Sequence, residues 1–252
     1  MSNKIALVTG ASRGLGRDMA LSLASKGSDI VLTYSTSEAE AIAVAGEIKA
    51  MGRKAEVIQL DMSTMNAIDP FISKLTVCLT EMSGQAKFDY LINNAGIGAT
   101  IPIADVTEEI FDKFLNIHFK GVYFLTQKCL PMINDNGSMV FISSGSVRFS
   151  VPGYSVYSSM KAAIENFTKF VAKEYGSRGI RSNVVAPGPV ETDFNNAMIR
   201  NNPQAKTFLT SMSPLGRVGA ADDIGSVVAF ICSDEAKWIN GQRLEVSGGI
   251  NL

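Results

Sequence analysis

The stretch YSSMK places Tyr157 and Lys161 four residues apart, a spacing that aligns two side chains on one face of a helix. A phenol with a pKa of about 10 supplies only about one phenolate in a thousand at neutral pH. A neighbouring ammonium favours the charged form. Lowering the phenol by about three pH units takes roughly 4 kcal/mol, a demand that Lys161 and a second cation could meet together. Such a tyrosine gives or takes a proton near neutral pH. Ser144, thirteen residues earlier, has a hydroxyl that could hold a carbonyl oxygen and stabilise charge developing there. By itself a Tyr-x-x-x-Lys pair is as readily an exposed helix pair, so the reading depends on its company.

That company begins with TGASRGLG, which carries Gly10, Gly14 and Gly16 directly after the apolar run IALV. Glycine permits a tight turn, lets backbone approach a pyrophosphate and allows close packing of helix on strand. A helix starting near Gly14 would aim its dipole and free N–H groups at phosphates. The spacing is G-x-x-x-G-x-G rather than G-x-G-x-x-G, and a purely structural turn would look the same. Arg13 lies inside the turn, either as a solvated base or as a phosphate ligand. The second apolar run ends in Thr33, Tyr34, Ser35, Thr36 and Ser37, with no acid before Glu38. NAD-selective sites place a carboxylate there for the ribose. Hydroxyls beside a guanidinium suit a 2′-phosphate instead. The expected cofactor is NADP(H), and its nicotinamide cation is the second charge near Tyr157.

These residues need a scaffold that brings loop ends together. Strand-length apolar runs cover Ile5 to Val8, Asp29 to Tyr34, Glu56 to Leu60 and Asp89 to Asn93, then Ser138 to Ser143, Arg181 to Ala186 and Arg243 to Gly248. Several are almost continuously apolar, as in strands buried on both faces of a parallel sheet. Amphipathic segments such as Ser37 to Met51 and Ser155 to Tyr175 alternate with them. The pattern predicts an α/β fold with a doubly wound parallel sheet of about seven strands and helices on both faces. No repeat, low-complexity tract or linker interrupts residues 1–252, so one domain is expected. Ligands of such sheets bind beyond the carboxyl ends of the strands, where the glycine turn and Ser144 fall.

TGASRGLG, NNAG (Asn93 to Gly96), Ser144, YSSMK and PGPVET (Pro187 to Thr192) occur in an order and spacing that resemble the short-chain dehydrogenase/reductase family. The likeness runs from Ile5 to the terminal SGG, and its closest flavour is the 3-oxoacyl-acyl-carrier-protein reductase-like branch. The resemblance implies a single Rossmann-like domain that moves a hydride between nicotinamide and a carbonyl or secondary alcohol. It implies that Gly10, Ser12, Arg13, Gly14, Leu15 and Gly16 hold the phosphates, with Tyr34, Ser35 and Thr36 near the ribose. Asp61 and Met62 would contact adenine, and Asn93, Ala95 and Gly96 would line the cleft. Lys161 would also hold the nicotinamide ribose beside Tyr157, while Pro187, Gly188, Val190 and Thr192 would cradle the carboxamide.

Family members add an asparagine in an Asn-x-x-Gly pattern on the helix before the fifth strand. Asn116 does not fit, because Gly121 is five residues away. His118, the one histidine of the chain, has the right spacing and stands in the asparagine's place. The resemblance assigns that position a backbone carbonyl that holds a water relaying protons to the lysine. A backbone role survives substitution; the imidazole is either a titrating participant or a packed neutral ring.

The resemblance implies that the segment 191–217 covers the substrate. Phe194, Met198, Phe208, Leu209 and Met212 form a candidate apolar lid, with Val147, Phe149 and Tyr154 opposite, though core or subunit contacts would use the same residues. An apolar pocket with one polar centre suits a small or medium ketone or alcohol. Acyl-carrier reductases need bases beside the cleft; Arg178 could be one, but Ile133 to Gly137 offers Asp135 instead, which would repel an acidic carrier. A free small molecule is therefore expected over the acyl-carrier alternative, and intact Ser144, Tyr157 and Lys161 argue against a non-catalytic dinucleotide sensor. A net charge of −1 with scattered bases gives no reason to expect nucleic acid or membrane partners. Three dispersed cysteines and no secretory signal suggest a reducing, cytoplasmic setting, and a lone histidine without a cysteine cluster makes zinc unexpected. The tail WINGQRLEVSGGINL resembles subunit contacts of the family, which implies a symmetric homotetramer, or a dimer.

Overall fold

The computed structural model describes residues 3–251. Seven parallel strands form one sheet in the order β3-β2-β1-β4-β5-β6-β7. They are β1 (Ile5–Val8), β2 (Asp29–Tyr34), β3 (Ala55–Gln59), β4 (Phe88–Asn93), β5 (Ile133–Ile142), β6 (Arg181–Pro187) and β7 (Arg243–Val246). The helices are α1 (Gly14–Ser25), α2 (Glu38–Ala50), α3 (Ile68–Ser83), α4 (Glu108–Leu115), α5 (Gly121–Cys129), α6 (Ser155–Tyr175), α7 (Phe194–Asn201), α8 (Pro203–Met212) and α9 (Asp222–Cys232). The chain winds outward from β1 through β2 to β3, then crosses back to β4 on the other side of β1. Connections diverge at that reversal, and a crevice opens above the strand ends.

Alternation along the strands divides the core into two layers. Ile5 and Leu7 of β1 join Val31, Leu91 and Phe141 against Phe71 and Leu75 of α3, Leu125 of α5 and Ile164 of α6. Ala6 and Val8 face the other way, with Ile30 and Leu32, against Met19 and Leu23 of α1, Ile48 of α2 and Val228 of α9. Each large aliphatic side chain so buried contributes about 1.5–3 kcal/mol. Both faces are covered, so β1, β2, β4 and β6 are buried throughout. Their sequences accordingly lack the polar alternation of a half-exposed strand.

One boundary departs from expectation. Ile133 to Gly137 reads as a loop, yet β5 begins at Ile133. Ile133 pairs with Phe88, and the register then shifts so that Ser138 pairs with Tyr90. The extra residues bulge, with Asn136 in the left-handed region at φ 63°, a conformation asparagine tolerates. The polar run NDNG is therefore a bulged strand start rather than a connection.

Candidate active site

Ser144 lies just beyond β5 and Tyr157 and Lys161 lie in the first half of α6, at the carboxyl edge of the sheet. Tyr157 and Lys161 are buried, at 8% and 5% exposure. Lys161 Nζ donates to Ile142 O at 2.7 Å and stands 5.6 Å from the centre of the Tyr157 ring. A polar network through Glu165 and Arg243 lies behind the Ser143–Ser144 backbone. Ser143 Oγ and Arg243 Nε both donate to Glu165 Oε1, at 2.6 and 2.7 Å, and Arg243 also reaches Ser144 O at 3.3 Å.

Against the acidifying pull expected of Lys161 together with a nicotinamide cation, the protein's own surroundings act in the opposite direction. Burial pushes the Tyr157 pKa up, and a hydrogen bond with Ser144 opposes this only in part. Burial also brings Lys161 down from 10.5 to about 8. The low-dielectric site penalises both charges, and the ammonium gives its short hydrogen bond to a carbonyl rather than to the phenol. The protein alone therefore holds a protonated tyrosine, the form that donates.

His118 is buried on a π-helical turn, Asn116–Lys120, that joins α4 to α5. The Gly121 N–H reaches back to Asn116 O, and a Cβ at Gly121 would lie 2.7 Å from that oxygen and 2.9 Å from Met62 O. Glycine at this place is what lets the wide turn pack. The His118 ring stands edge-on to Tyr157, with centroids 5.2 Å apart. His118 Nε2 is 2.9 Å from Ile97 O. Ile97 N also lies 3.3 Å from Nε2, so Nε2 donates to that carbonyl in one tautomer and accepts from that N–H in the other; Nδ1 is buried without a partner. Burial, and secondarily the nearby Lys161 charge, hold His118 well below its ordinary pKa of 6.5. The imidazole beside Tyr157 is neutral.

The glycine turn is shaped for close backbone approach. Gly10 and Gly14 take φ of 64° and 55°, where other residues are strained. A Cβ at Gly10 would lie 2.9 Å from Ala95 Cα, and one at Gly16 would collide with Gly10 O and the Asn94 amide. Arg13 occupies the N-cap of α1 without a side-chain cap bond, which leaves the first N–H groups facing the crevice. Ser12 and Leu15 flank it, half-buried, and Arg13, Ser35 and Thr36 are exposed. Thr192 lies across from Gly14, where a Cβ would come within 3.6 Å of it. Pro187 ends β6, Gly188 packs on Ser247, and Val190 bridges to Gly219. These groups fit a dinucleotide with its pyrophosphate on α1.

Two assignments, Asn93 and Met62, need revision at the level of side chains. Asn93 turns away from the crevice and donates to Thr126 Oγ1 of α5 at 3.3 Å. Met62 packs into the core, leaving only its backbone for adenine. Asp61 accepts from Ser63 N and Oγ at 2.9 and 2.8 Å, and the neighbouring Glu38 raises the pKa of Tyr34. Asn94 was the residue missed. Its amide donates to Thr9 O and Gly10 O at 2.9 and 3.0 Å, while Thr9 Oγ1 accepts from Asn94 N and Ala95 N, each at 3.0 Å. The asparagine doublet of NNAG was the available signal. Gly96 lies against the His118 ring, where a Cβ would approach Cε1 to 2.8 Å.

Of the proposed lid, Phe194 reaches the reaction centre, 6.0 Å from the Tyr157 ring. Phe208 is 62% exposed and belongs to the outer face of α8. Tyr154 stands edge-on to Tyr157 at 6.1 Å, and its hydroxyl accepts from Asn195 Nδ2 at 2.8 Å. Arg178 is not free for a carrier: it pairs with Asp135 at 2.8 Å and donates to Leu130 O and Ile133 O.

Residues 10–251 match the family model described as enoyl-(acyl carrier protein) reductase. A hydroxynaphthalene reductase-like protein Arp2 of Metarhizium brunneum is 34% identical over 99% of this chain and 95% of its own length. The chain belongs to the short-chain dehydrogenase/reductase family. The crystal structure of the angucycline C-6 ketoreductase LanV with bound NADP superimposes with a TM-score of 0.94 at 33% identity, covering 98% of this chain and 95% of that one. A short-chain dehydrogenase from Burkholderia cenocepacia in complex with NADP gives 0.90 at 34% identity, covering 100% and 99%. No helix among the described residues is long and apolar enough to cross a membrane.

Proposed function

We propose that the protein reduces the carbonyl of a small or medium, ring-bearing apolar ketone to a secondary alcohol, using NADPH. The observation that carries this reading is the convergence of Ser144, Tyr157 and Lys161 at the crevice, with the phenol framed by the rings of His118, Tyr154 and Phe194. A flat substrate would stack or meet edges there, each aromatic contact adding about 0.5–1.5 kcal/mol. Relatives named for hydroxynaphthalene and angucycline substrates agree with such a slot.

The turn at Gly10, Gly14 and Gly16, with Thr192, would hold NADPH, whose chemistry there would be hydride donation. Arg13, Ser35 and Thr36 are the groups available to its 2′-phosphate. The Ser144 hydroxyl and Tyr157 hydroxyl hold the ketone oxygen, and Tyr157 gives it a proton as negative charge develops. Lys161 lies close enough to stabilise the phenolate that remains and to hold the nicotinamide ribose. His118 occupies the relay position, where a water on its backbone carbonyl would return a proton through Lys161. The engaged Arg178 speaks against an acyl carrier as substrate. Exposed Phe124 on α5, Phe170 on α6 and Trp238 support a homotetramer or dimer, which light scattering on the purified protein would measure.

A panel of aromatic ketones, aliphatic ketones and an acyl-carrier thioester, followed by NADPH and NADH oxidation, tests the reading. Aromatic ketones with NADPH should give the highest kcat/KM. Faster turnover of the acyl-carrier thioester, or a preference for NADH, would overturn it.

A further inference from the structure

The Ser144 hydroxyl ends a row of three. Ser146 N donates to Ser144 Oγ at 3.2 Å, and Ser146 Oγ lies 3.0 Å from the same atom. Ser158, next to Tyr157 on α6, places its Oγ 2.8 Å from Ser146 Oγ. Ser146 and Ser158 are half-buried, and among the described residues neither side chain has another hydrogen bond. They contribute little that the core requires.

A serine hydroxyl has one proton and two acceptor positions. A backbone N–H can only donate, so Ser146 N fills one acceptor position of Ser144. When Ser146 Oγ donates into the second, the Ser144 proton has one direction left, outward to the phenol and to the oxygen bound beside it. We propose that Ser146, backed by Ser158, is a positioning residue for the carbonyl reduction: its hydroxyl fixes Ser144 as a donor aimed at the ketone oxygen. The proposal rests on Ser144 and Tyr157 being the reaction centre.

The physical effect is preorganisation. A donor already aimed where charge develops needs no reorientation during the reaction, and hydroxyls in a row polarise one another in the same sense. Without Ser146 Oγ, the Ser144 proton can turn into the vacated acceptor direction and spend part of its time away from the ketone.

The test compares Ser146→Ala, Ser146→Thr, Ser158→Ala and Tyr157→Phe in steady-state reduction from pH 6 to 11. Complete loss of an oxyanion donor costs about 10²–10³ in kcat, and a donor merely left unaimed retains part of that. Ser146→Ala should lower kcat about five- to tenfold while keeping the KM for NADPH within about twofold. The alkaline limb of its kcat profile should move to higher pH, because a Ser144 that no longer donates stabilises the phenolate less. Ser146→Thr, which keeps the hydroxyl, should restore both, and Ser158→Ala should shift both less, in the same direction. Wild-type kcat in Ser146→Ala, a fall in kcat with the limb unmoved, or no rescue by threonine would each overturn the proposal. Should Tyr157→Phe retain full turnover, the reaction centre itself is misassigned and the proposal falls with it.

Discussion

Replacing Lys161 with methionine removes a buried charge while nearly keeping its volume. In the folded protein burial lowers the lysine from 10.5 to about 8. Below pH 8 both folded and unfolded chains carry the proton, and the fold bears the full cost of burying it. Between pH 8 and 10.5 the folded protein has released that proton and the unfolded chain still binds it, so stability rises with pH. At about 1.4 kcal/mol per pH unit the rise amounts to about 3 kcal/mol. Lys161→Met lacks this term, and it also leaves Ile142 O without its 2.7 Å donor, a loss of about 1–3 kcal/mol. The two nearly cancel at pH 7, so the variant should unfold close to wild type there and fall behind by about 3 kcal/mol near pH 10.5. For a chain of this length that is on the order of 10 °C in Tm. Tyrosine titrations common to both proteins drop out of the difference. Urea or thermal melts of both proteins at several pH values read it directly. A wild-type minus variant difference that stays flat from pH 7 to 10.5 would refute the buried, strained ammonium.

His118 should give the opposite flank of the stability profile. Because burial keeps its folded pKa well below 6.5, its stabilisation is complete above pH 6.5 and is lost as the pH falls and the unfolded chain takes a proton. His118→Asn should flatten that acid slope in melts while reducing kcat only modestly; complete inactivity would show that the imidazole itself is required. Gly16→Ala places a methyl against Gly10 O and the Asn94 amide, and should cost about 1–3 kcal/mol in denaturant titration together with most NADPH affinity. Arg13→Ala should raise the KM for NADPH about 10- to 100-fold, the worth of one charge-assisted phosphate bond, and leave that for NADH nearly unchanged.

Much of this architecture was legible because the sheet is buried on both faces. IALV, DIVLTY and RSNVVA have no alternative to a parallel interior, and they match β1, β2 and most of β6. Ser155 to Tyr175 is α6 to the residue, since Tyr157 and Lys161 lie on the same side as Ile164 and Val171. The bulge of β5 was hidden because NDNG is also a turn sequence, and only its partner strand decides between the two. At the site, residue types announced the reaction centre but not its electrostatics. Whether an ammonium or the surrounding burial governs a phenol depends on where the ammonium's hydrogen bond goes, and Ile142 O is invisible in a four-residue spacing. Asn93 and Asn94 are neighbours of one type, yet strand alternation sends one to α5 and the other to the glycine turn. Ser146 likewise reads as ordinary turn polarity until Ser158 is placed beside it.

The most direct test of the whole account is the kcat of Tyr157→Phe for an accepted ketone, measured beside its NADPH affinity by fluorescence titration. Removing the phenolic oxygen takes away the proton donor and leaves the ring that packs against His118 and Phe194. A fall of about 10³-fold in kcat with unchanged NADPH affinity is expected. Turnover within tenfold of wild type would contradict the assignment of Tyr157 as the acid.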